Sequence, residues 1–274
     1  MSYFDYEALN AETSFAARRK MFSDTYFDTN CFRQQVYNDY ITSHGYTTNE
    51  IARLAETSPD IVSRLKERKF TCGTAIMQKI CFNVLHMSSQ EFLFDEPEKV
   101  SVVPRRFHLL ISMMQDMNEE TRVKFAIELK ERVQTYINTL KSERRIVYEP
   151  SVMDLINDRF WEIGNEWGVH PTNMMFGTQG PSFRAQVRAV LAKSRNITVP
   201  TLMYLAWQTG VTIDYLWNQD YTAYGNVGYK NPQTGRVVKL RDRSIIAAIG
   251  ALLAVSPGEQ CAFIGELQSK ANPL

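Results

Sequence analysis

The chain has 274 residues, and its 31 lysine and arginine residues nearly balance its 30 aspartate and glutamate residues, which leaves a formal net charge of +1. Its hydrophobic content of 44% is enough for a sizeable core, and its length allows one large domain or two ordinary ones. No apolar run approaches the length of a membrane-spanning helix, and the first residues lack the pattern of a signal peptide. We therefore expect a cytoplasmic protein that does not contact a membrane.

The sequence contains no pattern typical of an enzyme or of a metal site. Cys31, Cys72, Cys81 and Cys261 are scattered, without CxxC pairs or histidines at zinc-ligand spacing, so we predict buried, reduced thiols. A nucleophile elbow, a phosphate-binding glycine loop and an HExxH pair are all missing from the sequence. We expect no enzymatic activity and no cofactor.

The N-terminal part of the chain predicts a helical arm followed by five short helices. Residues 1–31 form an aromatic-rich segment that should pack against another part of the molecule. From Phe32 to Phe94 the periodicity is helical and is broken at four places: residues 44–45, 57–59, 71–73 and 87–88. We call residues 32–94 the first copy. An extended connector, a helical tail to residue 140 and a polar linker at 141–150 follow.

The same order of elements recurs in the second half of the chain. Residues 152–217, the second copy, are helical with breaks at 168–171, 180–182, 196–200 and 210–212. A segment around Asn-Pro-Gln-Thr-Gly at 231–235 then predicts a β-hairpin, and the tail Leu253–Leu267 is similar in pattern to Met114–Leu129. The sequence thus predicts a mainly α fold of two tandem five-helix units with accessory helices and a small hairpin. The predicted segments are an arm at 1–31, a first unit with its tail at 32–140, and a second unit at 150–274.

One helix pair in the first copy has the pattern of a helix-turn-helix. In Tyr46–Lys69 a helix that starts at Thr47 or Thr48 is followed by a short turn, and Ser58-Pro59 begins the next helix. The residues predicted to be buried between the two helices are Ile51, Ala52, Ala55, Val62 and Leu65. Small residues in one helix opposite branched residues in the other allow the close crossing that this motif requires.

Each copy resembles the five-helix, lambda-repressor-like domain of the Cro-repressor (XRE) family. The resemblance extends through Thr74–Phe94 and is clearer in Val199–Trp217, which is similar to the family's fourth and fifth helices. It departs from the family at Glu56, where the turn usually has glycine. The resemblance implies a sequence-specific transcriptional regulator, a repressor of the phage, plasmid or mobile-element type, that binds double-stranded DNA operators of near two-fold symmetry as a homodimer.

By the same resemblance, the second helix of each motif would enter the major groove while the preceding helix contacts the backbone. The candidate DNA-binding residues are Thr48, Asn49, Asp60, Ser63, Arg64, Arg68 and Lys69 in the first copy, and Asn173, Arg184, Gln186, Arg188, Lys193 and Arg195 in the second. Lys230, Arg236 and Lys239 make the predicted hairpin a possible wing. The stretch from Trp167 to Ile213 contains no acidic residue, so we expect the second copy to bind DNA more strongly.

Two other functions remain open at this stage. Asp60 would put a carboxylate near phosphates, which favours a protein-binding module, such as an antitoxin, an inhibitor or a scaffold, in which one or both motifs no longer contact DNA. A small-molecule sensor whose pocket is formed by the aromatic arm is the third hypothesis. The sequence also leaves open whether one chain covers two half-sites or a dimer covers a longer site.

Overall fold

The computed structural model describes residues 2–67, 70–173, 187–192, 197–223 and 226–271. The fold is mainly helical with a small sheet, as predicted from the sequence. Among the described residues, no helix has both the length and the apolar character that crossing a membrane requires.

The chain forms two compact units, and each combines segments that are far apart in sequence. The paired-repeat unit contains residues Met1–Lys99 and Val152–Asn218, and therefore both five-helix copies. The tail unit contains Val100–Ser151 and Gln219–Leu274, and therefore both helical tails. The sequence-based division, in contrast, followed the order of the chain.

The first copy has the five helices that the sequence predicts. They are α3 (Asn30–Ser43), α4 (Thr48–Leu54), α5 (Pro59–Glu67), α6 (Thr74–Lys79, continued by a wider turn at Ile80–Val84) and α7 (Ser89–Phe94). The breaks between them coincide with the predicted ones. The α3 helix ends at Ser43 and is followed by the capping residue His44, whose ring nitrogen Nδ1 lies 2.9 Å from the carbonyl oxygen of Tyr40; Gly45 comes next, with a left-handed backbone at φ +67°.

The second copy begins with the long helix α10 (Val152–Trp167) and a short turn at Pro171–Asn173. Helix α11 includes residues 187–191, and α12 (Val199–Thr209) and α13 (Ile213–Trp217) complete the copy. Gly210, at φ +71°, ends α12, where the sequence predicts a break. The hydroxyl of Tyr215 donates to Glu162, 2.8 Å away, and so ties α13 to α10.

The aromatic arm packs onto both copies. It consists of α1 (Tyr6–Ala11) and α2 (Phe15–Asp28), which begin at the capping side chains of Asp5 and Ser14. Phe22 of α2 is completely buried, and its ring lies 6.1 Å from that of Phe94 in the first copy and 5.7 Å from that of Tyr204 in the second. The prediction that the arm packs against another part of the molecule is confirmed.

The fifth helices of the two copies, α7 and α13, cap each other. The Asp214 carboxylate accepts from the backbone N–H of Ser89 at 2.8 Å, from that of Gln90 at 2.9 Å, and from the Ser88 hydroxyl at 2.7 Å. In return, the side-chain oxygen of Gln90 accepts from the backbone N–H of Ile213 at 3.1 Å. Asp214 and Gln90 are both 2% exposed. Each helix therefore has first-turn donors that are satisfied by the other copy.

The tail unit combines helices with a small sheet. Its helices are α8 (His108–Gln115), α9 (Glu119–Ser142), α14 (Arg243–Leu253) and α15 (Pro257–Ala271). Asn118 caps α9, and Ser256 with Glu259 forms a capping box at α15, so the two tails of similar sequence pattern each begin a helix. Helix α14 is largely apolar, and its residues Ile245, Ile249 and Leu252 are buried.

The sheet of the tail unit has the order β1–β2–β3 and includes the predicted hairpin. Strands β2 (Asn226–Lys230) and β3 (Val237–Lys239) are antiparallel, with Tyr229 opposite Val238. Strand β1 (Val100–Val102) lies parallel to β2, with Ser101 opposite Val227. Gly228 allows this arrangement, since a Cβ there would lie 2.6 Å from the carbonyl oxygen of Val238.

The burial of the tryptophans and cysteines does not follow from residue type, and the prediction of buried thiols is wrong in part. Tryptophan is highly buried on average, yet Trp161 and Trp167 are 41% exposed, and of the four tryptophans only Trp217 is completely buried. Among the cysteines, Cys81 is buried, whereas Cys31 and Cys261 are exposed; all are free thiols. Burial depends on which helix face meets a neighbour, and residue type alone does not determine it.

Candidate nucleic-acid interface

Helices α4 and α5 cross closely in the first copy. The α4 helix starts with a capping box, in which Thr47 Oγ1 accepts from the backbone N–H of Glu50 at 3.2 Å and the Glu50 carboxylate accepts from that of Thr47 at 2.8 Å. The five residues predicted to be buried between the helices are at most 5% exposed: Ile51, Ala52, Ala55, Val62 and Leu65. The predicted helix pair therefore has a tightly packed apolar contact.

The turn between these helices contains the residue that departs from the family pattern. Glu56 has φ +47°, a left-handed backbone that side chains other than glycine seldom adopt. The backbone N–H of Thr57 donates to the carbonyl of Ala52 at 2.8 Å, and the Glu56 carboxylate pairs with Lys79 on α6. The turn has the geometry for which glycine is favoured, and Glu56 contributes an ion pair instead.

Helix α3 holds the C-terminal end of α5. The side-chain amide of Gln34 donates to the carbonyl of Lys66 at 2.8 Å, and that of Asn38 donates to the same oxygen at 3.3 Å. Lys66 Nζ donates to Thr48 Oγ1 at 3.3 Å, which links α5 to the start of α4. These bonds satisfy carbonyls that the end of a helix leaves without partners. Sequence reasoning missed Gln34, Asn38 and Lys66, although amides on a neighbouring helix are suitable partners for such carbonyls.

The second copy repeats this arrangement in α11. Val187 and Val190 are buried at 1% and 2% exposure, in the positions that Val62 and Leu65 occupy in α5. Asn157 of α10 donates to the carbonyl of Leu191 at 2.6 Å, as Asn38 of α3 does to Lys66. In this register Arg188, which is exposed, corresponds to Ser63. The helices predicted to enter the major groove are α5 and α11. Each thus has a carbonyl near its end that accepts a hydrogen bond from a side-chain amide on the first helix of its copy.

The predicted DNA-binding residues that the structure describes are accessible to different degrees. In the first copy Asn49, Asp60 and Arg64 are exposed, while Thr48 and Ser63 are half-buried; all lie on the adjoining helices α4 and α5. In the second copy Asn173 and Arg188 are exposed. The remaining candidates lie outside the described residues: Arg68, Lys69, Arg184, Gln186, Lys193 and Arg195.

Both acidic and basic side chains are exposed on the helix pair α4–α5 of the first copy, which we call the first motif. Arg53 and Arg64 are exposed, and so are Glu50, Asp60 and Glu67. Hydrogen bonds from the backbone and the side chain of Thr47 lower the pKa of Glu50, so this carboxylate keeps its charge at the start of α4. The surface therefore does not have the uniform positive charge that a strong phosphate-binding face would have.

The hairpin carries its basic residues on the exposed side. Asn231 Oδ1 accepts from the backbone N–H groups of Gln233 and Thr234 at 2.9 and 3.0 Å, and Gly235 closes the turn at φ +68°. Lys230, Arg236 and Lys239 are exposed on β2, the turn and β3. Their role as a wing stays a prediction.

A cavity in the paired-repeat unit lies beside the arm. Its volume is about 310 Å³, and its walls include Arg19, Ser23 and Phe27 of α2, Cys72, and Thr201 at the start of α12. The sensor hypothesis requires such a pocket next to the arm. The lining does not indicate a particular ligand, so this hypothesis also stays a prediction.

Comparison of the chain with protein-family models, curated proteins and solved structures finds no match. In the described residues, no group of three or more histidine, cysteine, aspartate or glutamate side chains is arranged to hold a metal ion. The resemblance to the Cro-repressor family therefore rests on the residues of this chain alone.

Proposed function

We propose that this protein is a sequence-specific, duplex-DNA-binding transcriptional regulator that reads DNA with α5 and α11. The observation that carries the proposal is the helix pair α4–α5. Its buried residues allow a close crossing, its turn has a left-handed residue at Glu56, and Asp60, Ser63 and Arg64 lie on the part of α5 not packed into the core. Repression and a cytoplasmic location are parts of this proposal, and the operator is covered either by the two motifs of one chain or by a homodimer.

The second copy is the stronger candidate for DNA contact. Arg188 is exposed on α11, and arginine can donate two hydrogen bonds to guanine in the major groove. In the sequence, Arg184, Gln186, Lys193 and Arg195 add donors and positive charge around it, and no acidic residue lies between Trp167 and Ile213. Arg64 in the first copy, by contrast, is accompanied by Asp60 and Glu67.

The proposal is tested by binding of the purified chain to genomic DNA fragments, including those around its own gene, at two salt concentrations. We expect a selective gel shift that weakens steeply at higher salt, because phosphate contacts release counterions. Changing Arg184 and Arg188 to alanine together should weaken binding by at least about tenfold, since each base contact contributes roughly 1–3 kcal/mol. Arg64→Ala should weaken binding less.

A matched control is Lys124→Ala, which removes an exposed positive charge from α9 in the tail unit. It should leave the affinity for DNA nearly unchanged. Equal, large losses from Arg64→Ala and from the double variant would contradict the ranking of the second copy above the first. No shift at low salt would refute the DNA-binding proposal.

A protein-binding module is the second candidate, and the charges of the first motif favour it. The exposed carboxylates of Glu50, Asp60 and Glu67 would repel phosphates, but they could pair with basic groups of a protein partner. If the gel shift fails, affinity capture with the intact chain and with Asp60→Lys distinguishes this function. A partner retained by the intact chain and lost with Asp60→Lys would support it.

A further inference from the structure

The contacts between the two copies are reciprocal. Gln90 and Asp214 are equivalent residues, because each is the second residue of the fifth helix of its copy and follows an equivalent capping residue, Ser88 or Thr212. Asp214 accepts from the first backbone N–H of α7, at Ser89, and Gln90 accepts from the first backbone N–H of α13, at Ile213. In each copy, the second residue of the fifth helix thus accepts a hydrogen bond from the first residue of the other copy's fifth helix.

A second pair of equivalent elements is also in contact. Gly73 and Thr198 precede the first residues of α6 and α12, the fourth helices of their copies. Thr74, the first residue of α6, donates through its hydroxyl to the carbonyl of Ile197, next to Thr198, and this bond is buried. The start of one fourth helix therefore lies beside the start of the other.

Contacts of this kind indicate two-fold symmetry. When residue i of one copy contacts residue j of the other and j contacts i in turn, the copies are related by a two-fold rotation. A head-to-tail arrangement would join different elements of the two copies. In this chain α7 pairs with α13, and the start of α6 pairs with that of α12.

We propose that a single chain reads one operator with two inverted, non-identical half-sites, so that the two copies within the chain replace the two subunits of a dimer. This inference rests on the proposed function. Two-fold related motifs read half-sites that are themselves two-fold related, with centres about 10 base pairs, or a multiple of this, apart. The second chain that a homodimer would add is not needed to cover such a site.

The two half-sites should differ because the reading helices differ. Arg188 of α11 corresponds to Ser63 of α5, and Arg64 corresponds to Ala189. An arginine in the major groove favours guanine, whereas serine accepts several bases. We therefore expect a guanine-containing half-site for the second copy and a different half-site for the first.

The test is selection of duplexes by the purified full chain from a random-sequence pool, followed by native mass spectrometry of the complex with the enriched duplex. We expect an inverted, imperfect repeat and one chain per duplex. Arg188→Ala should relax the base preference in one half-site only, and Arg64→Ala should relax it only in the other. Two chains on the shortest enriched duplex, a direct repeat, or protection of a single half-site would refute this inference and leave DNA binding intact. Failure to enrich any sequence would refute the proposed function and this inference together.

Discussion

Glu56 occupies a left-handed position in the α4–α5 turn, where glycine is the favoured residue. Its φ of +47° is costly for a side chain with a Cβ, by about 1 kcal/mol, while its ion pair with Lys79 contributes less because the Glu56 side chain is 67% exposed. The α4–α5 turn therefore keeps some backbone strain. Glycine would adopt the same conformation without that strain.

We predict that Glu56→Gly raises the free energy of unfolding by about 0.5–1 kcal/mol, because relief of the left-handed strain exceeds the loss of an exposed ion pair. Glu56→Ala is the matched control, since it loses the ion pair and keeps the strain; it should be neutral or slightly destabilising. Chemical denaturation of the three proteins measures the difference. A glycine variant no more stable than the alanine variant would show that the turn is not strained.

The pairing of α7 with α13 depends on a buried carboxylate. Asp214 accepts four hydrogen bonds, from the Ser88 hydroxyl, from the backbone of Ser89 and Gln90, and from the Asn218 amide at 3.0 Å. Hydrogen bonds to a charged acceptor are stronger than those between neutral groups. Loss of this acceptor leaves buried donors without partners, and each such donor costs about 1–3 kcal/mol.

We predict that Asp214→Ala lowers the free energy of unfolding by about 3–5 kcal/mol, because several donors at the start of α7 lose their acceptor together. Asp60→Ala removes an exposed carboxylate near the start of α5 and should change stability by about 0.5 kcal/mol or less. Urea denaturation of the two variants provides the comparison. A loss below about 1 kcal/mol for Asp214→Ala would mean that the reciprocal caps do not hold the copies together.

Local signals in the sequence made the helix boundaries predictable. The pairing of helices from distant parts of the chain could not be predicted in this way. Thr47 with Glu50 and Ser256 with Glu259 define helix starts through bonds between residues three positions apart, so a short stretch of sequence contains the signal. The bond from Ser89 to Asp214 joins distant parts of the chain, and the sequence gives no local sign of it. The parallel pairing of β1 with β2 was missed for the same reason.

The candidate interface was predictable to a similar extent. The buried residues of α4 and α5 follow from helical periodicity, and so do Val187 and Val190 in α11. The amides that hold the ends of α5 and α11, on Asn38 and Asn157, were not identified, because polar residues on a helix usually face solvent. Which amide finds a neighbouring carbonyl depends on how the helices pack.

The segments before and after the linker, which we call the two halves, both contribute to each compact unit. Each compact unit takes one segment from before the linker at residues 143–150 and one from after it. In the tail unit, Arg122 of α9 pairs with Asp242 at the start of α14, and the Tyr136 hydroxyl donates to Glu259 of α15 at 2.6 Å. In the paired-repeat unit, Asp214 and Gln90 join the halves. The covalent linker is therefore one of many connections between the halves.

We predict that cutting the linker leaves the protein assembled. A protease site inserted between Arg145 and Ile146 would be accessible, since both residues are exposed and Ile146 is 94% exposed. After cleavage, the two fragments should elute together from a sizing column at the volume of the uncut chain, because the buried contacts within both compact units still join them. The inserted but uncut protein is the control for the insertion itself. Fragments that separate without denaturant would show that the halves are held together mainly by the linker; fragments that stay together would support a chain organised as a dimer of its own two halves.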